Sequence, residues 1–164
     1  MPRFTSEQAA TALEIEHLIN EYWAEIDLNG GQHVEDYWCE DGQLKVGTVE
    51  LNGVDELIAF YVERRELVAG GPGGIRTSRH VSANLRYYPK SADEVVVIMT
   101  VINFSGAGAP PLAGASPSIL GDGKILVRRC ADGEWRLKRL EVDFIFIGDD
   151  PFQNKRLLGS EKPV

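Results

Sequence analysis

Apolar residues recur at helical spacing in the first part of the chain and at alternate positions in the second, so helices precede strands. Ile15, Leu18, Ile19, Tyr22 and Ile26 make one stripe. They predict a helix over residues 6–28, capped by Thr5 or Ser6 and stopped by Asn29-Gly30-Gly31. A short second helix is expected over residues 32–38. Residues 43–46 and 48–51 read as a small hairpin after an Asp41-Gly42 turn, closed by Asn52-Gly53. Leu57, Phe60, Tyr61 and Arg64 then mark a third helix over residues 54–67.

After the flexible stretch AGGPGG at residues 69–74 the period changes. Residues 76–88, 94–104, 119–129 and 134–147 are four long strand candidates. Residues 89–93 and 131–133 are short enough for hairpins. Residues 105–118, SGAGAPPLAGASPS, read as a long loop or lid. Helices followed by antiparallel strands imply a single α+β domain over residues 1–147, with a tail at 148–164 that carries no periodic pattern. Three helices on one face of a curling sheet would enclose a cavity.

RTSRHVSANLRYY, residues 76–88, alternates strictly. Ser78, His80, Ser82, Asn84 and Arg86 share one face, and Val81, Ala83, Leu85 and Tyr87 the other. If the polar face lines the cavity, the apolar face is convex and needs covering, which predicts a homodimer or higher homo-oligomer.

The bulk properties narrow the partners. The chain has 164 residues, 43% hydrophobic and 26% charged, with a formal net charge of −8. That acidity argues against nucleic-acid binding and against adhesion to anionic membranes. No apolar run approaches the ~20 residues that span a bilayer. The start turns polar and acidic without a signal-peptide apolar region, so a cytoplasmic location is expected. Cys39 and Cys130 sit far apart in no metal or redox motif, and their spacing leaves a disulfide open. His17, His33 and His80 form no HxxxH or HExxH pattern, so no metal site is expected; His17 and His33 are expected to be exposed. No nucleotide-binding sequence is present, since the AGGPGG glycines precede a strand, and no cofactor is expected.

The order WAEIDLNGG, YWCEDGQL, LNGVDELIAFY, TSRHVSANLRYY, DGEWRLKRLEVDF resembles the SnoaL-like branch of the nuclear-transport-factor-2-like superfamily. The resemblance covers residues 13–146 and implies a cone-shaped α+β barrel on a mostly antiparallel sheet. Members include polyketide cyclases, scytalone dehydratase, a hexachlorocyclohexane dehydrochlorinase, ketosteroid isomerase and limonene epoxide hydrolase. The small subunit of ring-hydroxylating dioxygenases is a non-catalytic member. The dehydratase and the dehydrochlorinase use a His–Asp pair, and the matching positions are His80 and Asp27.

A neutral imidazole accepts a proton near neutral pH, and a carboxylate on its other nitrogen fixes the tautomer and stabilises the imidazolium. Asp27 sits in the last turn of its helix, where an acid opposes the macrodipole. An ideal helix projects it about 120° from the apolar stripe, so either it is solvated or the helix end tips into the cavity. Tyr22, Trp23 and Trp38 are candidates for lining the cavity, Tyr22 with a hydroxyl for a substrate oxygen, and plain core packing is the competing reading. Asn84 is a further substrate-binding candidate on the His80 face, and Asp143 is either a second inward acid or solvated. Two departures weaken a strict dehydratase assignment. Ile26 stands where scytalone dehydratase has tyrosine, and residues 94–104 lack its second histidine.

The expected activity is a cofactor-independent lyase or isomerase acting on a small apolar cyclic molecule by dehydration, other β-elimination or double-bond isomerisation. The competing class is a non-catalytic ligand-binding or subunit-type protein of the same fold.

Overall fold

The computed structural model describes residues 3–114, 116–150 and 152. Helix α1 (Ser6–Leu28) begins with a capping box, in which Thr5 Oγ1 accepts from the Gln8 amide while the Gln8 side chain accepts from the Thr5 amide. Its inward residues, Ile15, Ile19, Tyr22, Trp23 and Ile26, are buried. At its end the buried Glu25 carboxylate accepts from Asn29 Nδ2 (2.6 Å) and from the His33 amide (2.9 Å), tying down the glycine turn. A Cβ at Gly31, which has φ +73°, would lie 2.7 Å from the Tyr61 ring, so glycine lets that turn rest on the second helix.

The remaining elements are β1 (Trp38–Val46), β2 (Val49–Asn52), α2 (Val54–Ala69), β3 (Arg76–Pro89), β4 (Glu94–Ala107), β5 (Ile119–Arg129) and β6 (Trp135–Ile147). They form one six-stranded sheet in the order β2-β1-β6-β5-β4-β3. Every pair is antiparallel except β1 with β6, so the sheet is mixed. Two helices pack on its concave side, and the core between them joins Ile19, Leu57, Val97, Ile125, Leu137 and Leu140. No described helix is long and apolar enough to cross a membrane.

The expected short helix is a single 3-10 turn, Val34–Tyr37, and β1 begins directly after it. Parallel pairing of Trp38 with Leu137 takes up backbone that a helix would have used. The Asp41-Gly42 pair does not start the hairpin but lies inside β1. Between Trp38↔Leu137 and Gln43↔Arg139 the strand advances five residues against two on β6, so three are looped out. A Cβ on Gly42 would stand 2.7 Å from the Trp38 ring and 2.9 Å from the Cys39 carbonyl oxygen. The hairpin itself forms with Val46 opposite Val49.

The continuous alternation of β3 is broken by one extra residue. Ala83 faces Thr100 and Arg86 faces Ile98, an advance of three against two, with Asn84 at φ 56°. Ser78, His80 and Ser82 therefore point inward before the bulge, whereas Leu85 and Tyr87 point inward after it and pack on the core. The convex apolar surface is a row across four strands: Val81 opposite Ile102, Ile102 opposite Leu120, Leu120 opposite Phe146. Beyond β6, Asp150 pairs with Arg76 at 2.7 Å, and Phe152 lies under the same guanidinium. Residues 151 and 153–164 of the expected tail fall outside the described residues.

Candidate active site

A cavity of about 90 Å³ opens between the helices and the concave sheet. Apolar side chains such as Ile26, Phe60, Val101, Leu140 and Phe144 make most of its wall. Its polar groups gather at two ends, His80 with Asn103 and Tyr22 with Tyr61 and Arg64.

His80 is positioned from four directions. Asp27 and Trp23, one helical turn apart on α1, hold it together. Asp27 Oδ1 accepts from His80 Nδ1 at 2.7 Å, and Trp23 stacks on the imidazole at 4.4 Å between centroids and 10° between planes. The other Asp27 oxygen accepts from the His80 backbone amide at 2.6 Å, and the Ser78 hydroxyl donates to Oδ1 at 2.7 Å. Trp23 is fixed in turn by its Nε1, which donates to Ser82 Oγ at 2.9 Å. Inward-pointing Ser78, His80 and Ser82 thus meet the flank of α1 that an ideal projection directs away from the core. The curled β3 edge reaches round the helix, so Asp27 is covered without tipping the helix end.

On the opposite side of the ring, Asn103 is level with His80 across the β3–β4 ladder. Its Nδ2 lies 3.1 Å from His80 Nε2. The buried Ser118 hydroxyl stands 2.7 Å from Asn103 Oδ1 and 2.9 Å from the Asn103 carbonyl oxygen. With Ser118 donating to Oδ1, the amide nitrogen faces the imidazole and donates to Nε2. Nδ1 then carries the ring proton toward Asp27, and Nε2 carries the lone pair.

The electrostatics agree with that assignment. Burial pushes the His80 imidazole below its ordinary pKa, outweighing the upward pull of Asp27, and Arg64 and Arg76 push the same way as burial. Burial alone would raise Asp27, but bonds from the His80 ring and amide and from Ser78 hold its carboxyl below the usual range. The pair is a neutral imidazole on a carboxylate at neutral pH.

At the other end Tyr22 and Tyr61 are buried with their hydroxyls 2.9 Å apart. Burial raises both phenols, so both are neutral. One hydroxyl donates to the other, which leaves one O–H with no acceptor among the described residues. Arg64 continues the inward stripe of α2 one turn beyond Phe60 and Tyr61.

Of the residues singled out in the sequence, Asp27, His80, Trp23 and Tyr22 lie at this site. Trp38 does not line the cavity; it packs edge-on beneath Tyr22, ring centroids 5.8 Å apart. Asn84 is exposed and outside the cavity, because the bulge turns its side chain away from the His80 face. Asp143 is solvated, and His17 and His33 are exposed. The loop after β4 contributes no lining residue, although Ser118 at its end anchors Asn103. Asn103 and Ser118 escaped the sequence reading, which had Ser78 on the His80 face without a role; only the inward phase of β4 could have signalled Asn103. Among the described residues no cluster of His, Cys, Asp or Glu is arranged to hold a metal.

A curled sheet with a polar-ended cavity under two helices defines a cone-shaped small-molecule-cavity protein. The match to the SnoaL-like domain model over residues 7–141 places the chain in that family: it belongs to the SnoaL-like domain proteins. No curated protein matches the sequence. Solved structures share the fold at low identity. One, from Novosphingobium aromaticivorans and provisionally assigned as a scytalone dehydratase, is 18% identical with TM-score 0.73, covering 90% of this chain and 92% of its own. ActVI-ORFA from Streptomyces coelicolor is 13% identical with TM-score 0.71, covering 86% and 99%. A Catenulispora acidiphila protein in complex with S-DNPA is 16% identical with TM-score 0.68, covering 84% and 95%.

Proposed function

We propose that the protein is a lyase or isomerase that removes a proton from carbon in a small cyclic substrate, with His80 as general base and Asp27 orienting it. The carrying observation is the Nδ1–carboxylate bond of 2.7 Å at the wall of a mostly apolar cavity. It leaves Nε2 as the basic atom of a neutral ring. Trp23 fixes the ring plane. Tyr22 and Tyr61 present the spare O–H to a substrate oxygen away from the reacting carbon. Elimination of a β-leaving group or reprotonation at a neighbouring carbon completes dehydration or double-bond shift, and neither needs a cofactor. Asn103 Nδ2 engages the Nε2 lone pair at 3.1 Å, so substrate binding has to displace that amide. The Arg79 carbonyl oxygen can accept from the displaced amide, since it already lies 3.5 Å from Asn103 Nδ2.

That same Asn103–Nε2 contact favours a second reading, a ligand-binding protein in which His80 is a satisfied structural histidine. The readings separate on Asn103→Ala. In the enzyme, freeing Nε2 preserves or raises turnover of cyclic hydroxy ketones, and His80→Ala abolishes it. In the binding protein neither variant nor wild type turns them over.

The convex row of Val81, Ile102, Leu120 and Phe146 supports a homodimer through the sheets. Val81→Glu in a dimer would shift sedimentation to the monomer; an unchanged monomeric wild type would exclude it.

A further inference from the structure

Three arginines gather where α1 ends, α2 ends and β3 begins, and two of them are committed. Arg65 donates to the carbonyl oxygens of Gly30 (3.1 Å) and Gly31 (3.0 Å). Arg76 is paired with Asp150 at 2.7 Å. Arg64 is different. It lies in the wall between the cavity and the neighbouring groove, half-buried, with its guanidinium 5.9 Å from the Tyr61 ring centroid. Among the described residues it forms no ion pair and no hydrogen bond. The carboxylate that lines the neighbouring groove with it, Asp27, has its oxygens taken by Ser78 and by the ring and amide of His80. The Arg64 charge is also felt by Tyr22, Tyr61 and His80, as expected of a cation that faces the same cavity. A cation on the inward stripe of a helix, with an unspent phenol O–H next to it, is a preformed anion receptor.

We propose that the cavity takes ring compounds bearing a carboxylate, held by Arg64 and the free tyrosine hydroxyl. This inference rests on the proposed site, but it concerns recognition and not proton transfer. Arg64 fixes where the ligand's carboxylate sits, so it is a specificity-determining residue.

The test is binding of 1-naphthoate and its neutral isostere 1-naphthamide, followed by quenching of tryptophan emission and by calorimetry. Wild type should prefer the carboxylate by on the order of ten-fold or more, the range of a charge-assisted hydrogen bond. Arg64→Gln should erase that preference while leaving 1-naphthamide within about two-fold, and Arg64→Lys should keep part of it. His80→Ala should keep the preference, so failure of the base assignment leaves this result standing. Equal affinity for the two probes, a preference that survives Arg64→Gln, or no binding of either probe would overturn the proposal.

A second observation stands apart from the cavity. Cys39, in the looped-out part of β1, and Cys130, at the end of β5, bring their sulfurs to 3.6 Å although 91 residues separate them. Cys39 is buried and Cys130 partly exposed. We infer that they are a dithiol that a hydroperoxide converts to a disulfide. Cys130 attacks the O–O bond, giving its sulfenic acid and an alcohol, or water from hydrogen peroxide. Cys39 then displaces the sulfenyl oxygen, an S–S bond forms and water leaves; the two sulfurs supply the two electrons. Cys39 is shut off from solvent, and burial and the neighbouring Cys130 push its thiol up to about 12, so the partly exposed Cys130 meets the oxidant first.

Hydrogen peroxide should remove both alkylatable thiols, lower the intact mass by two hydrogens and leave a monomer on a non-reducing gel, all reversed by dithiothreitol. Cys39→Ser should instead stop at a Cys130 sulfenic acid that dimedone traps. Two alkylatable thiols after peroxide and denaturation, or covalent dimers in place of the internal bond, would overturn it.

Discussion

The two polar ends of the cavity are built on opposite plans. Around His80 every polar atom is engaged: Asp27 receives three hydrogen bonds, Asn103 is fixed by Ser118, and Trp23 is locked to Ser82. Around Tyr61 one phenol O–H and the Arg64 guanidinium remain without partners among the described residues. A saturated end costs little to keep rigid and suits a group that must hold one orientation. An unsaturated end suits a ligand that brings its own oxygens. On the proposed reading, proton transfer falls to the first and recognition to the second.

Substitutions at the two ends should therefore change different kinetic constants. His80→Ala and Asp27→Asn should lower kcat by about 10²–10⁴, the usual worth of general base catalysis, with KM little changed. Steady-state kinetics on an identified substrate checks this, and a large KM effect would erase the distinction. At the other end Tyr22→Phe and Arg64→Gln should raise KM by on the order of ten-fold and lower kcat less.

The saturated end also sets the pH response. His80 has its pKa lowered by burial, so kcat/KM should rise through a value below the ordinary histidine range and be flat at neutrality. The same sign holds for stability. A group whose folded pKa is depressed contributes stability that is present above its unfolded pKa and lost as pH falls toward the folded one. His80 should thus cost stability as pH drops below about 6.5, with Asp27 adding a second loss below its ordinary range. Denaturant titrations at several pH values would show it, and His80→Gln should remove the first loss.

The smallest effect expected lies away from both ends. Gly42→Ala should destabilise the fold by about 1–3 kcal/mol through contact with the Trp38 ring and the Cys39 carbonyl, measured as a lower midpoint in urea.

The helix stripe, the hairpin and the four long strands were legible because each repeats a period over many residues. The reading failed where one residue changes the phase. Asn84 looked like a neighbour of His80 on the inward face, but an inserted residue in β3 turned it outward and turned Leu85 and Tyr87 in. Residues 32–38 looked helical because nothing local announced that Trp38 would pair with Leu137, nearly a hundred residues away. Asp27 and His80 were legible through the family resemblance, since helical projection alone left Asp27 undecided. Asn103 and Ser118 carry no local signal. They meet only because the loop after β4 returns to that strand, and an asparagine in an apolar strand says nothing of the imidazole opposite.

The most direct measurement is deuterium exchange into 2-tetralone and related cyclic ketones in heavy water, followed by proton NMR for wild type and His80→Ala. The account predicts saturable exchange at the carbon beside the carbonyl in wild type and only the solvent rate in the variant. Equal exchange in the two proteins, whether fast in both or at the solvent rate in both, would contradict His80 as the base.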